Sequence, residues 1–165
     1  MKSGAIPAAF FLMATLILTA LPAHASRQLT CPTPAPSAVN ALVQTTNQMR
    51  EQAGLPRLTL DQGLNAAAQR HACDLARRNV VSHTDSRGRT PMKRLRAGGY
   101  RACFSAENVA WGTDQPLTTV AAWRESPDHR VNQESPLATR MGFGVAHGPG
   151  GYLYWVGLYA APCRS

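Results

Sequence analysis

Hydrophobic residues recur every three or four positions in the first half of the chain, the spacing typical of amphipathic helices. The first stripe follows a proline-rich extended segment, 32–36, and ends at Gly54, with Ser37 expected to cap the start of the helix. A second stripe runs from Asp61 to about Asn79 and is rich in alanine. So many small side chains predict that this second helix packs closely against a neighbouring element.

The second half of the chain changes from helical to strand-like patterns. A short helix is predicted from Pro91 to the glycines at 98–99, and another from Leu117 to Glu125, before Pro127. Strands are predicted at Ser105–Trp111, Met141–Ala146 and Tyr152–Tyr159, the last two joined by a glycine-rich hairpin at 148–151. Helices followed by strands indicate an α+β fold with an antiparallel sheet.

The first 25 residues have the pattern of an export signal. A positive start at Lys2 precedes a nearly continuous apolar run, Ile6–Leu21, and Ala23-His24-Ala25 is typical of a cleavage site. We therefore expect a signal peptide over 1–25, cleavage after Ala25, an extended lead-in over 26–36 and one domain over 37–165. An uncleaved membrane anchor is the alternative, but the run is shorter than the roughly 20 residues that span a bilayer. No later segment is apolar enough to span a membrane.

The expected export also affects how the cysteines are interpreted. Cys31, Cys73, Cys103 and Cys163 are four in number and none belongs to a C-x-x-C pair, so two disulfides are expected and a tetrathiolate metal site is not. Three pairings are open. We favour Cys31–Cys163 with Cys73–Cys103, with Cys73 as a buried free thiol as the alternative.

Acid–base or metal chemistry would have to come from a few polar residues outside the helical stripes. His83 and His129 lie in loop-like segments, Glu107 lies on a predicted strand between apolar residues, and Glu125 ends a predicted helix. His71, on the alanine-rich stripe, is expected to be a packed residue. A single histidine in a loop is more often structural than a ligand, so these residues need partners to form a site.

Five blocks of the sequence resemble, in order, those of the CAP superfamily, which includes cysteine-rich secretory proteins, antigen 5 and pathogenesis-related proteins. They are Ser82-His83-Thr84-Asp85, Gly99-Tyr100, Ala106–Gly112, Trp123–Arg130 and Met141–Ala146. The blocks span roughly 37–161, almost all of the chain after the expected signal peptide, and the chain is similar to bacterial exported members. It implies an α–β–α sandwich in which a three-stranded antiparallel sheet lies between helical layers.

The resemblance also implies a cleft in which two histidines and two acids converge. His83 and His129 match the histidines and Glu107 matches the first acid, but Ser126 occupies the place of the second acid. Glu125 is adjacent, one helical step of about 100° away. We expect a cleft of Glu107, Glu125 and Ser126, with His83 and His129 as ligands of a weakly bound divalent ion such as zinc.

Two functions follow from this cleft. The first is a secreted, monomeric binding module that holds an apolar or anionic small ligand, a lipid or glycan surface, or a partner protein. The alternative is a metal-dependent hydrolase, peptidase-like, with Glu107 as general base and Ser126 as a nearby hydroxyl. The replacement of the second acid by Ser126 favours binding, and no catalytic residue is assigned.

The formal net charge is +8, and its excess is concentrated in one segment. Between Arg77 and Arg101 the sequence has eight basic residues and one acid, Asp85. Because this segment brackets His83, we expect Arg87, Arg89 and Arg94 to form a cleft rim that binds phosphates or carboxylates. Export favours anionic lipids or glycans over nucleic acid, and a solvated basic face is the alternative.

Overall fold

The computed structural model describes Met1, residues 31–32 and residues 34–163, and the predicted signal peptide lies outside the described residues. The helices and strands are, in chain order, α1 (Pro36–Gln52), β1 (Thr59–Leu60), α2 (Gln62–Arg78), α3 (Pro91–Ala97), β2 (Ala102–Trp111), α4 (Pro116–Glu125), α5 (Pro127–Gln133), β3 (Arg140–His147) and β4 (Leu153–Pro162). None of the described helices has the length and hydrophobicity needed to cross a bilayer.

The fold is α+β, as predicted, but the expected three-stranded antiparallel sheet is wrong in detail. The sheet has four strands in the order β1-β3-β4-β2, and β1 runs parallel to β3. The strand β1 was missed because it is only two residues long, too short to show an alternating pattern. The three longer strands form antiparallel pairs around β4.

Hydrophobic residues are buried on both faces of this sheet. One core joins α2 and α3 to β2 and β4, through residues such as Leu64, Leu95 and Val156. The other joins α1 and α4 to β3 and β4, through residues such as Leu42 and Trp123. The sheet therefore lies between two helical layers.

Local capping residues determine where α2 begins and ends. The Asp61 carboxylate accepts a hydrogen bond from the backbone N–H of Leu64 at 3.0 Å, and Asn79 ends the helix in the left-handed conformation at φ 53°. The expected cap by Ser37 is wrong, because Pro36 already begins α1 and no side chain caps it. Pro127, expected only to stop a helix, begins α5, since proline suits the first helical position.

Close contact between α2 and β3 depends on two glycines. A Cβ added to Gly142 or Gly144 would lie 2.4 Å from backbone atoms of α2. Alanines at buried positions of α2, including Ala68, allow the same approach from the helix side. The small residues on both elements therefore bring α2 directly onto the sheet, as the alanine-rich stripe predicted.

Two amide side chains of α2 also bond to the backbone of β3 beyond the end of β1. Asn65 Oδ1 accepts from the N–H of Phe143 at 2.7 Å, and Gln69 Oε1 accepts from the N–H of Val145 at 2.8 Å. The Gln69 amide donates to the carbonyl of Val145 at 2.7 Å. These side-chain hydrogen bonds satisfy backbone groups of β3 that a longer β1 would otherwise pair with.

Two disulfides are present, as predicted, but the favoured pairing is wrong. Cys31 pairs with Cys73, and Cys103 pairs with Cys163. The second pair forms because β2 and β4 are antiparallel neighbours, so the start of one strand meets the end of the other, where Ala102 faces Pro162. Cys73 is therefore not a free thiol.

Candidate functional site

The candidate site is built around the buried carboxylate of Glu107, in the middle of β2. Its side chain is 1% exposed, and a charge at such a depth is costly unless it is paired. Its Oε2 accepts from Nη2 of Arg94, and its Oε1 accepts from Nδ1 of His83 at 2.9 Å. A second histidine, His71, places Nε2 3.7 Å from the same Oε1. Both carboxylate oxygens are thus occupied by this chain's own groups.

Arg94 reaches this carboxylate from α3 and also fixes the loop that carries His83. Its Nη1 donates to the carbonyls of His83 at 2.7 Å and of Arg89 at 3.0 Å. The predicted place of Arg94 on an exposed rim is therefore wrong. The side chain is 7% exposed because Glu107 requires a buried partner for its charge.

The loop beyond His83 turns around the carboxylate of Asp85. Burial alone would raise the pKa of Asp85, because it disfavours the charged form. Its carboxylate accepts hydrogen bonds from the N–H and guanidinium of Arg89 and from the N–H of Arg87. These bonds outweigh burial and hold the pKa of Asp85 below its ordinary value. Arg89 is therefore half-buried and paired, whereas Arg87 is exposed. Of the three predicted rim arginines, only Arg87 has an exposed guanidinium without an acidic partner among the described residues.

His129, near the start of α5, lies close to this group of residues. Its Nδ1 lies 2.9 Å from Oγ of Ser126. Burial and the charge of His83 both lower the pKa of His129, so the two imidazoles are close enough for their charges to interact. His83 differs, since its hydrogen bond to Glu107 raises its pKa.

Asn108 connects the strand of Glu107 to the helix of His129. It follows Glu107 on β2, and its Nδ2 donates to the carbonyl of His129 at 2.9 Å. Asn132 on α5 donates to Oδ1 of Asn108 at 2.9 Å and to the carbonyl of Glu107 at 3.2 Å. The strand that carries Glu107 therefore positions the helix that carries His129.

The profile of a protein family described as CAP, the cysteine-rich secretory protein family, matches residues 43–159. The chain belongs to this family. The matched part includes Glu107, His83, His129, Arg94 and Asn108, so the candidate site lies wholly inside the CAP domain.

Relatives and solved structures are consistent with the family. The protein YkwD of Bacillus subtilis is 32% identical over 116 residues, which are 68% of this chain and 45% of YkwD, so the chain spans about half of that relative. An outer surface protein of Borrelia burgdorferi is 22% identical, with a TM-score of 0.73 over 79% of this chain and 96% of that one. An extracellular SCP-domain protein of Bacillus anthracis is 23% identical, with a TM-score of 0.68 over 75% of this chain and 40% of that one. Both solved structures share the fold.

The structure places the other two expected cleft residues differently. Ser126 lies beside His129, as its position in the sequence suggests. Glu125 is exposed at the end of α4 and forms no hydrogen bond or ion pair within the described residues, so it does not join the Glu107 network. A step of one residue along α4 turns its side chain away.

His71 is packed, as predicted, but sequence reasoning missed its contact with the site. It is 1% exposed, and its Nε2 donates to the carbonyl of Ser82 at 3.0 Å, while burial lowers its pKa. The only sequence signal was a histidine on an otherwise apolar stripe. Its neutral ring fills the space between α2 and Glu107.

In the part of the chain that the structure describes, no three or more His, Cys, Asp or Glu side chains are arranged to hold a metal ion. His83 and His129 each have Nδ1 occupied, so Nε2 is the nitrogen open to a ligand. Two imidazoles fit a zinc-like ion only with its other positions left to water or a bound ligand. The donor set therefore suits weak, exchangeable binding.

Proposed function

We propose that this chain is an exported binding module of the CAP family whose two-histidine cleft holds a divalent cation weakly beside its ligand. The ligand is an apolar or anionic small molecule, a lipid or glycan surface, or a partner protein. In this proposal the signal peptide is cleaved after Ala25 during export, and the domain acts as a monomer. Its two disulfides and its extracellular and outer-surface structural neighbours are consistent with export.

The observation that carries this proposal is the orientation of the two imidazoles. Metal-binding histidines commonly hold the other ring nitrogen in a hydrogen bond to a carboxylate or another oxygen, which fixes the tautomer and the ring plane. Nδ1 of His83 donates to Glu107, and Nδ1 of His129 pairs with Ser126. Both Nε2 atoms are then available to one cation.

The surroundings of Glu107 favour binding over hydrolysis. A general base needs a carboxylate oxygen that can take a proton from water. The oxygens of Glu107 already accept from Arg94 and His83, deep in the domain. Ser126 has its hydroxyl beside Nδ1 of His129, and we assign it to orienting that ring.

Two exposed valines in the loop that carries His83 support a partly apolar ligand. Val80 and Val81 lie three and two residues before His83, and both are exposed. Because they share its loop, we propose that they offer apolar contact area to the ligand.

Zinc titration of the purified protein tests the cation site. We expect His83→Ala/His129→Ala to abolish binding while circular dichroism still shows a folded domain, although losing the contact of His83 with Glu107 should lower the melting temperature by several degrees. His147→Ala, an exposed histidine at the end of β3, is the matched control and should leave the titration unchanged. An unchanged titration in the double variant would refute the site.

The hydrolase alternative has its own test. The purified protein is incubated with peptide and ester libraries, with and without a chelator. We expect no turnover in either condition. Chelator-sensitive cleavage that Glu107→Gln abolishes would replace the binding proposal with an enzymatic one.

A further inference from the structure

Exposed positive charge is concentrated around the C-terminal end of α3. Among the exposed cations that form no ion pair within the described residues, five belong to this region: Arg70, Arg87, Lys93, Arg96 and Arg101. All nine acidic residues of the sequence lie in the described part. The two nearest along the chain, Asp74 and Asp85, are already paired with other arginines. The charge on this surface is therefore not compensated by the domain itself.

Two hollows meet at the turn that ends α3. The first has a volume of about 1120 Å³ and is lined by Arg70 and Arg87, by the turn at Gly98, and by the arginine-paired carboxylates of Asp74 and Asp85. The second has a volume of about 410 Å³ and is lined by Arg96 and Arg101 and by the turn at Gly99. The guanidinium of Arg70 lies against Gly98, so 3.0 Å separates its Nη2 from the place of a Cβ. Each hollow thus has two unpaired guanidinium groups, and adjacent glycines join them.

We propose that this surface binds an extended phosphate polymer, laid across the Gly98–Gly99 turn with phosphates in both hollows. Guanidinium groups bind phosphate oxygens in a bidentate manner, which lysine cannot do. Four of the five unpaired cations are arginines. Two hollows on either side of a turn suit a ligand whose charges are spaced along a chain, since a single small anion would occupy only one.

The same surface does not suit a bilayer. Proteins that lie on membranes usually bury apolar side chains at the headgroup boundary as well as pairing basic residues with lipid phosphates. None of the exposed large hydrophobic residues of the described chain lines either hollow. The charged groups also line concave surfaces, which a flat array of headgroups reaches poorly.

Binding of long-chain inorganic polyphosphate to the purified protein tests the proposal. The variants Arg70→Gln/Arg87→Gln and Arg96→Gln/Arg101→Gln should each weaken binding about tenfold or more, as expected for losing two charge-assisted contacts. Arg57→Gln/Arg130→Gln removes the same charge from exposed positions elsewhere and should change binding less than about twofold, because screening weakens distant charges. An equal loss in the control pair would show a mere net-charge effect and would overturn the proposal.

Two further ligands distinguish the alternatives. Tripolyphosphate should bind much more weakly than the long chain, since it cannot reach both hollows; equal affinity would show a small-anion site instead. Vesicles of phosphatidylglycerol and phosphatidylcholine should bind weakly, and vesicle binding without polyphosphate binding would show a membrane surface instead. His83→Ala/His129→Ala should leave polyphosphate binding unchanged, so failure of the cation site would not count against this surface.

Discussion

Breaking the buried ion pair between Arg94 and Glu107 on one side should strongly destabilise the domain. In Arg94→Met the side-chain stem remains, but the buried carboxylate loses its main partner. Breaking one side of a buried pair costs about 3–5 kcal/mol. Nδ1 of His83 still donates to Oε1, so we expect the lower end, about 3 kcal/mol. At about 4 °C per kcal/mol for a domain of this size, the melting temperature should fall by about 12 °C.

Thermal and urea unfolding at neutral pH measure this loss. Lys93→Met, an exposed neighbour on the same helix, should stay within about 0.5 kcal/mol of the parent. Arg94→Met/Glu107→Leu should recover most of the loss, because an apolar pair leaves no buried charge. A loss below about 1 kcal/mol for Arg94→Met alone would refute the description of Glu107 as a buried, paired carboxylate.

Three other predictions follow from the same structure. Gly144→Ala places a Cβ 2.4 Å from the α2 backbone and should destabilise the domain by about 3 kcal/mol, measured by urea unfolding; a change below about 1 kcal/mol would contradict the contact. Cys103→Ser/Cys163→Ser removes the disulfide that links residues 60 positions apart and should lower the free energy of unfolding by up to about 4 kcal/mol. An unchanged midpoint of urea unfolding would contradict the pairing. Zinc binding requires neutral imidazoles, and the pKa of His83 is raised. As the pH is lowered, the zinc affinity should therefore begin to fall while the pH is still above 6.5, because His83 protonates first. His129, whose pKa is lowered, should protonate only at lower pH. A zinc affinity that stays constant from pH 8 to 5.5 would contradict this order.

Local signals were enough to predict the long elements. Asp61 and Asn79 mark the limits of α2 because a cap depends only on its own turn of helix. The two-residue strand β1 has no such local signal, since it exists by pairing with Arg140 and Met141, far along the chain. The disulfide pairing was missed for the same reason, because it depends on the register of β2 against β4.

The candidate site could be predicted only in part from the sequence. His83, Glu107 and His129 were chosen from the residues and the CAP resemblance, and the structure brings them close together. Arg94 was misplaced because its neighbours in the sequence are basic and exposed, and nothing local shows that a carboxylate on β2 lies under it. His71 was recognised as buried, but helical periodicity does not reveal which group a buried face meets.

The amides of Asn65 and Gln69 have a consequence for how this domain behaves at high concentration. An open strand edge exposes backbone N–H and C=O groups on which another chain can add a strand. Here β1 covers only the beginning of β3, and the two amides occupy the next backbone groups. Side chains fixed on a helix thus protect the β3 edge of the sheet from edge-to-edge aggregation, without a longer strand at that position.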